Sequence, residues 1–168
     1  MTTIAYKNGI LAADKQAQYG TFAHPVCKIR RLKDGSIAGG SGEVAFIQQM
    51  FEWLDAGADP AAFPTDQRDK EDWQPILVVR PDGRIQVYER TPYPVESESP
   101  IFAIGSGRDY ALMAMHLGKS APEAVELASR FDRGTGSQVD TLTLPQPLKV
   151  WERTRLQQQS LQVAHHPV

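Results

Sequence analysis

The chain predicts an α+β layered fold in which two stacked, mostly antiparallel β-sheets are covered by helices. Three observations carry this expectation. Tight-turn signals between short apolar runs recur along the chain, helical periodicity is confined to a few segments, and two of those segments follow one another late in the sequence. The expected order is two N-terminal hairpins, a helix, a hairpin and a strand, two helices, and a last strand. No internal repeat interrupts it.

The first hairpin is the clearest. Asn8-Gly9 separates Thr3-Ile4-Ala5-Tyr6 from Ile10-Leu11-Ala12-Ala13-Asp14, and both central residues of a type I′ turn need positive φ, which Asn and Gly tolerate. Asp34-Gly35 joins Lys28-Ile29-Arg30-Arg31-Leu32 to Ser36-Ile37-Ala38, and Pro81-Asp82-Gly83 joins residues 76–79 to 85–88. Residues 43–56 have helical periodicity and stop at Gly57. Their apolar residues spread over more than one narrow face, which leaves two readings: all of them are intrachain core, or part of the helix, with the outer side of Trp53 first, lies at a subunit contact. Residues 58–74, with Pro60, Pro64 and a charge run from Asp66 to Asp72, read as a surface loop with room for a frayed helical piece. Ile101-Phe102-Ala103-Ile104 is a short buried strand that runs into Gly105-Ser106-Gly107, and the next helix starts at Tyr110 and ends at Gly118. Ser120-Ala121-Pro122-Glu123 is a capping box that opens a third helix. That helix runs to about Phe131, with Ala124, Val125, Leu127, Ala128 and Phe131 on or near its inner face. Residues 139–144 alternate as a strand. Residues 1–145 form one domain, and 146–168 read as a polar, solvated tail ending in His165-His166.

Composition narrows the function classes. The length of 168 residues, 41% hydrophobic and 23% charged, is that of one ordinary globular domain. A net charge of -2 argues against nucleic-acid and anionic-membrane partners. The single cysteine, Cys27, allows no intrachain disulfide and fits a reducing compartment. With no signal-peptide pattern and no apolar run approaching about 18 residues, the expectation is a soluble cytoplasmic protein.

The residues also suggest a nucleophile. Removal of Met1 would expose Thr2 at the start of the first strand, and the hairpin folds Asp14 back toward it. A threonine hydroxyl is a poor nucleophile without a base, but an N-terminal threonine carries its own, the α-amine, which titrates near pH ~8. Without further support, an ordinary strand residue is the better reading of Thr2, and other residues decide the matter. Other candidates are weaker. His24, His116, His165 and His166 show no metal spacing with Cys27, no G-x-S-x-G elbow occurs, and Gly105-Ser106-Gly107 lacks the Gly-Lys of a phosphate loop.

Several segments together resemble a known family. Thr2-Thr3-Ile4, Ala12-Ala13-Asp14, Lys28-Ile29-Arg30-Arg31-Leu32, Ala38-Gly39 through Gly42, and Ala103-Ile104-Gly105-Ser106-Gly107 with Tyr110-Ala111 look like the HslV peptidase, the bacterial relative of proteasome β-subunits. Asp132-Arg133-Gly134-Thr135-Gly136 looks closer to the β-subunits and short bacterial proteasome homologues. No one motif is specific; their order over residues 2–144 is.

The resemblance implies a four-layer αββα Ntn-hydrolase sandwich and a threonine-type endopeptidase. Thr2 would be the nucleophile, Lys28 would turn its ammonium toward Thr2, and Asp14 would hold Lys28 in place and charged. Gly42, just before the helix at 43, would offer a backbone amide to the oxyanion. Ser106 can cap the helix that follows it, and the family pattern makes it an auxiliary that hydrogen-bonds the Thr2 amine. Main-chain carbonyls at Ser129, Asp132 and Thr135 would bind a structural monovalent cation or magnesium, with no cofactor required for peptide hydrolysis. The implied partners are peptide substrates, further copies of the chain in a ring or stacked-ring chamber, and an ATP-dependent unfoldase. Two rival readings keep the fold: an Ntn amidohydrolase acting on a small amide, and a catalytically silent assembly subunit.

Overall fold

The computed structural model describes residues 1–65 and 74–145. The charge run from Asp66 to Asp72 and the tail 146–168 lie outside the described residues. A four-stranded sheet has the order β10-β1-β2-β11, from β10 (Ile101–Gly105), β1 (Thr3–Lys7), β2 (Ile10–Asp14) and β11 (Val139–Thr143). A five-stranded sheet runs β5-β6-β7-β8-β9, with β5 (Ile29–Arg31), β6 (Ile37–Gly40), β7 (Ile76–Val79), β8 (Ile85–Tyr88) and β9 (Val95–Ser97). All pairings in both sheets are antiparallel.

Strand alternation builds the layers. On β1, Ile4 and Tyr6 turn toward the other sheet and pack with Leu11, Ile37, Leu77 and Val79. Ala5 turns the other way, and with Ala12 and Ala103 meets α2 (Arg108–His116) and α3 (Ala121–Ala128). Alanines on that face let the two helices lie close to the sheet. On the far side, α1 (Val44–Asp55) packs on Ala38, Ile76, Val78 and Tyr88 of the five-stranded sheet. The order is helix, sheet, sheet, helices, as expected. Asn8 and Gly9 take φ of 51° and 81°, the turn that the dipeptide predicts.

Two expectations are corrected. Trp53 is not at an outer surface: it is 5% exposed, edge-on to Phe63 at 5.1 Å and Tyr88 at 5.4 Å, and its indole N–H donates to the Asp59 carbonyl at 2.8 Å. The segment expected to be loop supplies the cover, through a 3-10 turn (Pro60–Ala62) capped by Asp59 and followed by buried Phe63. Phe46, Ile47, Met50, Phe51, Trp53 and Leu54 of α1 are all intrachain core. Phe131 is likewise not on an inner face. After Ala128 the chain tightens, with Arg130 and Phe131 amides bonding three residues back to Leu127 and Ala128. That tightening swings Phe131 out to 67% exposure and into a stack on Tyr110 at 5.6 Å. The second helix also starts earlier than Tyr110, at Arg108 with Gly107 as N-cap. Strand β9 and a two-stranded hairpin, β3 (Gln16–Tyr19) with β4 (Phe22–Pro25), were not legible beforehand.

The capping box of α3 forms as read. Glu123 accepts the Ser120 amide at 2.9 Å and hydroxyl at 2.8 Å. The amide first, then the hydroxyl and the Lys119 ammonium, hold its carboxyl at about 2 against an ordinary 4.5. Because the folded value is the lower one, this contribution is complete above 4.5 and is lost as pH falls toward about 2. In Glu123→Gln the melting temperature should therefore fall less steeply than wild type across that window. Equal acid slopes would contradict the cap's role.

Candidate active site

Thr2 sits just before β1 and is 2% exposed. Two hydrogen-bonded groups flank it. The first centres on Asp14, the last residue of β2. The β1–β2 register carries Asp14 beside Thr3, whose amide donates to Oδ1 at 2.8 Å. Oδ2 accepts the amides of Gln16 at 3.0 Å and Gly136 at 2.9 Å. Lys28 Nζ donates to both carboxylate oxygens, at 2.9 and 3.0 Å. Asp14 and Lys28 are 0% and 3% exposed, so this is a buried ion pair with every nearby acceptor site used. The Lys28 carbonyl accepts the Gly40 amide at 3.1 Å, which pins the residue to β6 at the start of β5. Its ammonium also reaches the Met1 carbonyl at 3.4 Å, the same oxygen to which the Thr2 hydroxyl donates at 2.6 Å. Burial pushes the Lys28 ammonium below the usual lysine range, opposed by the nearby Asp14 carboxylate and, more weakly, by Asp132.

The second group lies on the other side. The Thr2 amide donates to Ser106 Oγ at 3.2 Å. Ser106 donates onward to Asp132 Oδ2 at 2.7 Å. Thr135 donates to the same oxygen at 2.6 Å, so in the 2.5 Å contact between the Thr3 and Thr135 hydroxyls Thr3 must be the donor. Gly134 closes the group on Asp132 Oδ1 at 3.1 Å. Burial alone would raise Asp132, but the Thr135 and Ser106 hydroxyls and the Gly134 amide outweigh it and hold the carboxyl below its ordinary range.

Ser106 can reach Thr2 only because both of its neighbours are glycine. A Cβ on Gly105 would collide with the Thr2 carbonyl oxygen, and one on Gly107 with the Thr3 hydroxyl. Gly105 also takes φ of 94°, which side chains rarely adopt.

The structure thus brings Thr2, Asp14, Lys28 and Ser106 into one constellation. Gly42 lies where the sequence put it, at φ 100° before the N-terminus of α1. The side chain of its N-cap residue Glu43 does not cap that helix start. Asp132 and Thr135 join the site through their side chains. Ser129 does not: it caps α3 and donates to the Glu126 carbonyl at 2.8 Å. The side chains of all three are engaged, so a cation here would be held by main-chain carbonyls, of which that of Asp132 also accepts the Thr135 amide at 3.0 Å. Among the described residues no cluster of His, Cys, Asp and Glu is placed to hold a metal ion. Thr3, Gln16, Gly134 and Gly136 are participants that sequence reasoning missed. Strand alternation could have flagged Thr3, since it must face away from Thr2; nothing local marks an amide such as that of Gly136.

The four layers are those of the Ntn-hydrolase fold. The sequence matches no protein-family model and no curated protein, but solved structures match it over nearly their full length. One is Thiobacillus denitrificans BPH, 20% identical, with a TM-score of 0.58 over 87% of this chain and 99% of that one. The same protein in complex with epoxomicin gives 21% identity and a TM-score of 0.59 over 86% and 98%. Eukaryotic HslV from Trypanosoma brucei gives 18% and 0.57 over 84% and 97%. At these identities the likeness establishes the fold.

Removing one partner of a buried pair leaves an uncompensated charge, which costs about 3–5 kcal/mol. Asp14→Ala should approach that loss, because it strands an ammonium and three amides together. Lys28→Met should cost less, since the carboxylate keeps its amides. Urea denaturation measures both, and a Lys28→Met loss larger than that of Asp14→Ala would contradict this order.

Proposed function

We propose that the chain is a proteasome-type threonine peptidase that acts through Thr2 once Met1 has been removed. The observation that carries this reading is the buried Lys28–Asp14 pair on one side of Thr2, with Ser106 and Asp132 on the other. A free Thr2 amine would remain within reach of Ser106, which sits 3.2 Å from the nitrogen. The amine accepts the hydroxyl proton as Oγ1 attacks a peptide carbonyl. Lys28 favours the attacking oxygen by its charge, and the Gly42 amide, at the start of α1, favours the oxyanion. The amine then passes the proton to the leaving nitrogen, and water hydrolyses the ester on Thr2. Likeness of fold to an epoxomicin-bound protein and to an HslV supports peptides as the substrate class.

The same reading places the enzyme in the cytoplasm as a homo-oligomer whose enclosed chamber keeps the nucleophile from folded proteins, supplied by an ATP-dependent unfoldase. A structural cation on main-chain carbonyls near Ser129 is compatible with this chemistry but takes no step in it.

Intact mass and hydrolysis of fluorogenic peptides test the proposal together. The active form should lack Met1 and should be inhibited by epoxomicin. Thr2→Ala should fold and yet show no turnover, while Thr2→Ser keeps some. Near-wild-type hydrolysis by Thr2→Ala, or by a chain retaining Met1, would sink the mechanism. Loss of a transition-state electrostatic partner costs on the order of 10²-fold or more in kcat. Lys28→Ala, assayed well below its melting temperature, should show that loss, and Lys28→Arg should restore it only in part because a planar guanidinium is not a compact ammonium. Unchanged kcat in Lys28→Ala would remove Lys28 from the chemistry.

A further inference from the structure

The proposed chemistry fixes the side of Thr2 on which the departing half of a peptide lies, and the inference here rests on that reading. The Thr2 amine hands its proton to the leaving nitrogen, so the departing segment starts on the amine's side, toward Ser106 and Asp132. Met1 marks that place in the unprocessed chain, because it is bonded to the same amine nitrogen. Its side chain lies on Gly134, where a Cβ would collide with it. Removal of Met1 uncovers Gly134. Two residues on, Gly136 lines a cavity of about 210 Å³ that opens to the surface. Two residues of extended chain span at most about 7 Å. A peptide that follows residues 134–136 therefore reaches the cavity with its second departing residue.

We infer that this cavity is a subsite for the second departing residue and that it selects an acidic side chain there. Its size suits a side chain, since about 150 Å³ is enough to hold benzene. Its wall is rich in donors. Lys15, Gln16 and His24 line it from the base of the β3–β4 hairpin, and Gly136, Ser137 and Gln138 from the loop before β11. The Lys15 ammonium meets Asp140 Oδ1 at 3.2 Å, in a pair about one-third exposed. Such a pair contributes little, and it leaves the ammonium two further protons to donate. His24 Nδ1 is buried and has no hydrogen-bond partner among the described residues, a costly state that a ligand carboxylate relieves by accepting from it. Arg133, exposed beside Gly134, adds a positive charge at the approach. Two carboxylates stand against these cations, and both are taken. Asp14 is wholly buried and paired with Lys28, and Asp140 is the partner of Lys15. An acidic side chain thus meets a cation with donors to spare, whereas a basic one must break an existing pair.

Internally quenched peptides that differ only at the second departing residue test the subsite on the full chain lacking Met1. With Glu there, kcat/KM should exceed that of the Gln peptide by about threefold and that of the Lys peptide by more, the scale of partly exposed ion pairs. Lys15→Glu should reverse the order, so that the Lys peptide is cleaved fastest, which damage to the fold does not do. Should Lys15→Glu lack activity, Lys15→Gln carries the same test and should bring the three rates together. Equal rates in wild type, or a Glu preference that survives in the active Lys15 variants, would overturn the inference. Binding of the same peptides to Thr2→Ala lacking Met1, read by fluorescence anisotropy, separates this inference from the peptidase reading. Tighter binding of the Glu peptide that depends on Lys15, with no hydrolysis by wild type, would defeat the peptidase reading and uphold the subsite. Thr2-dependent hydrolysis with no preference in rate or binding would do the reverse.

Discussion

The site depends on one buried carboxylate. Asp14 has no exposed surface, yet it gathers groups from four stretches of chain: the Thr3 amide, the Gln16 amide, the Lys28 ammonium and the Gly136 amide. Stability alone is a weak reason for such a pair. Desolvating a carboxylate and an ammonium costs several kcal/mol per ion, and well-packed apolar residues often replace such pairs without loss. What apolar residues cannot do is fix an ammonium at a stated point. The two oxygens of Asp14 hold Lys28 Nζ from two directions, and three amides hold Asp14. The position of one cation beside Thr2 is thereby tied to both ends of the domain sequence, from β1 to the loop before β11.

The second group is organised by the pleat of β1. Successive side chains on a strand leave on opposite sides, so Thr2 and Thr3 divide the labour. The Thr2 hydroxyl faces the Lys28 side, while the Thr3 hydroxyl enters the chain through Thr135 to Asp132. Asp132 therefore accepts from two hydroxyls that each trace back to the first strand, one through Ser106 and one through Thr135. A one-residue slip of β1 would exchange these roles and break both groups at once. The register against β10, Thr3 to Gly105, prevents that slip. It also explains why the strand must end in glycine, where the Thr2 carbonyl comes closest.

Much of this was legible in the sequence, for identifiable reasons. Asn8-Gly9, Asp34-Gly35 and the Ser120–Glu123 box are local signals whose physics lies within four residues, and each formed as read. Asp14 stood out because the Asn8-Gly9 turn folds it back beside Thr2. The β3–β4 hairpin was not legible because its strands are only four residues each and largely exposed. Phe131 was misplaced by extending helical periodicity past Ala128, where tighter three-residue bonds replace it. The Gly136 amide and the hydroxyl of Thr3 act over separations of more than a hundred residues. Periodicity carries no information about such contacts.

The fate of Trp53 shows what hydrophobic patterning does and does not decide. An apolar surplus on a helix says that something must cover it, and leaves open whether the cover is the same chain or another. For α1 the cover is intramolecular: Asp59 takes the indole N–H through its carbonyl, caps the 3-10 turn with its side chain, and so delivers Phe63 onto the ring. One short segment satisfies the polar atom and buries the apolar face together. On the other side of the molecule α2 has buried Ala111, Ala114 and Met115 against the sheet and α3, and its opposite stripe carries Met113 and Leu117, which stay exposed among the described residues. The strand β11 that follows α3 returns instead to the edge of the sheet beside β2. That return delivers Gly136 to Asp14, so the connection that completes the site is the one that leaves the α2 face open.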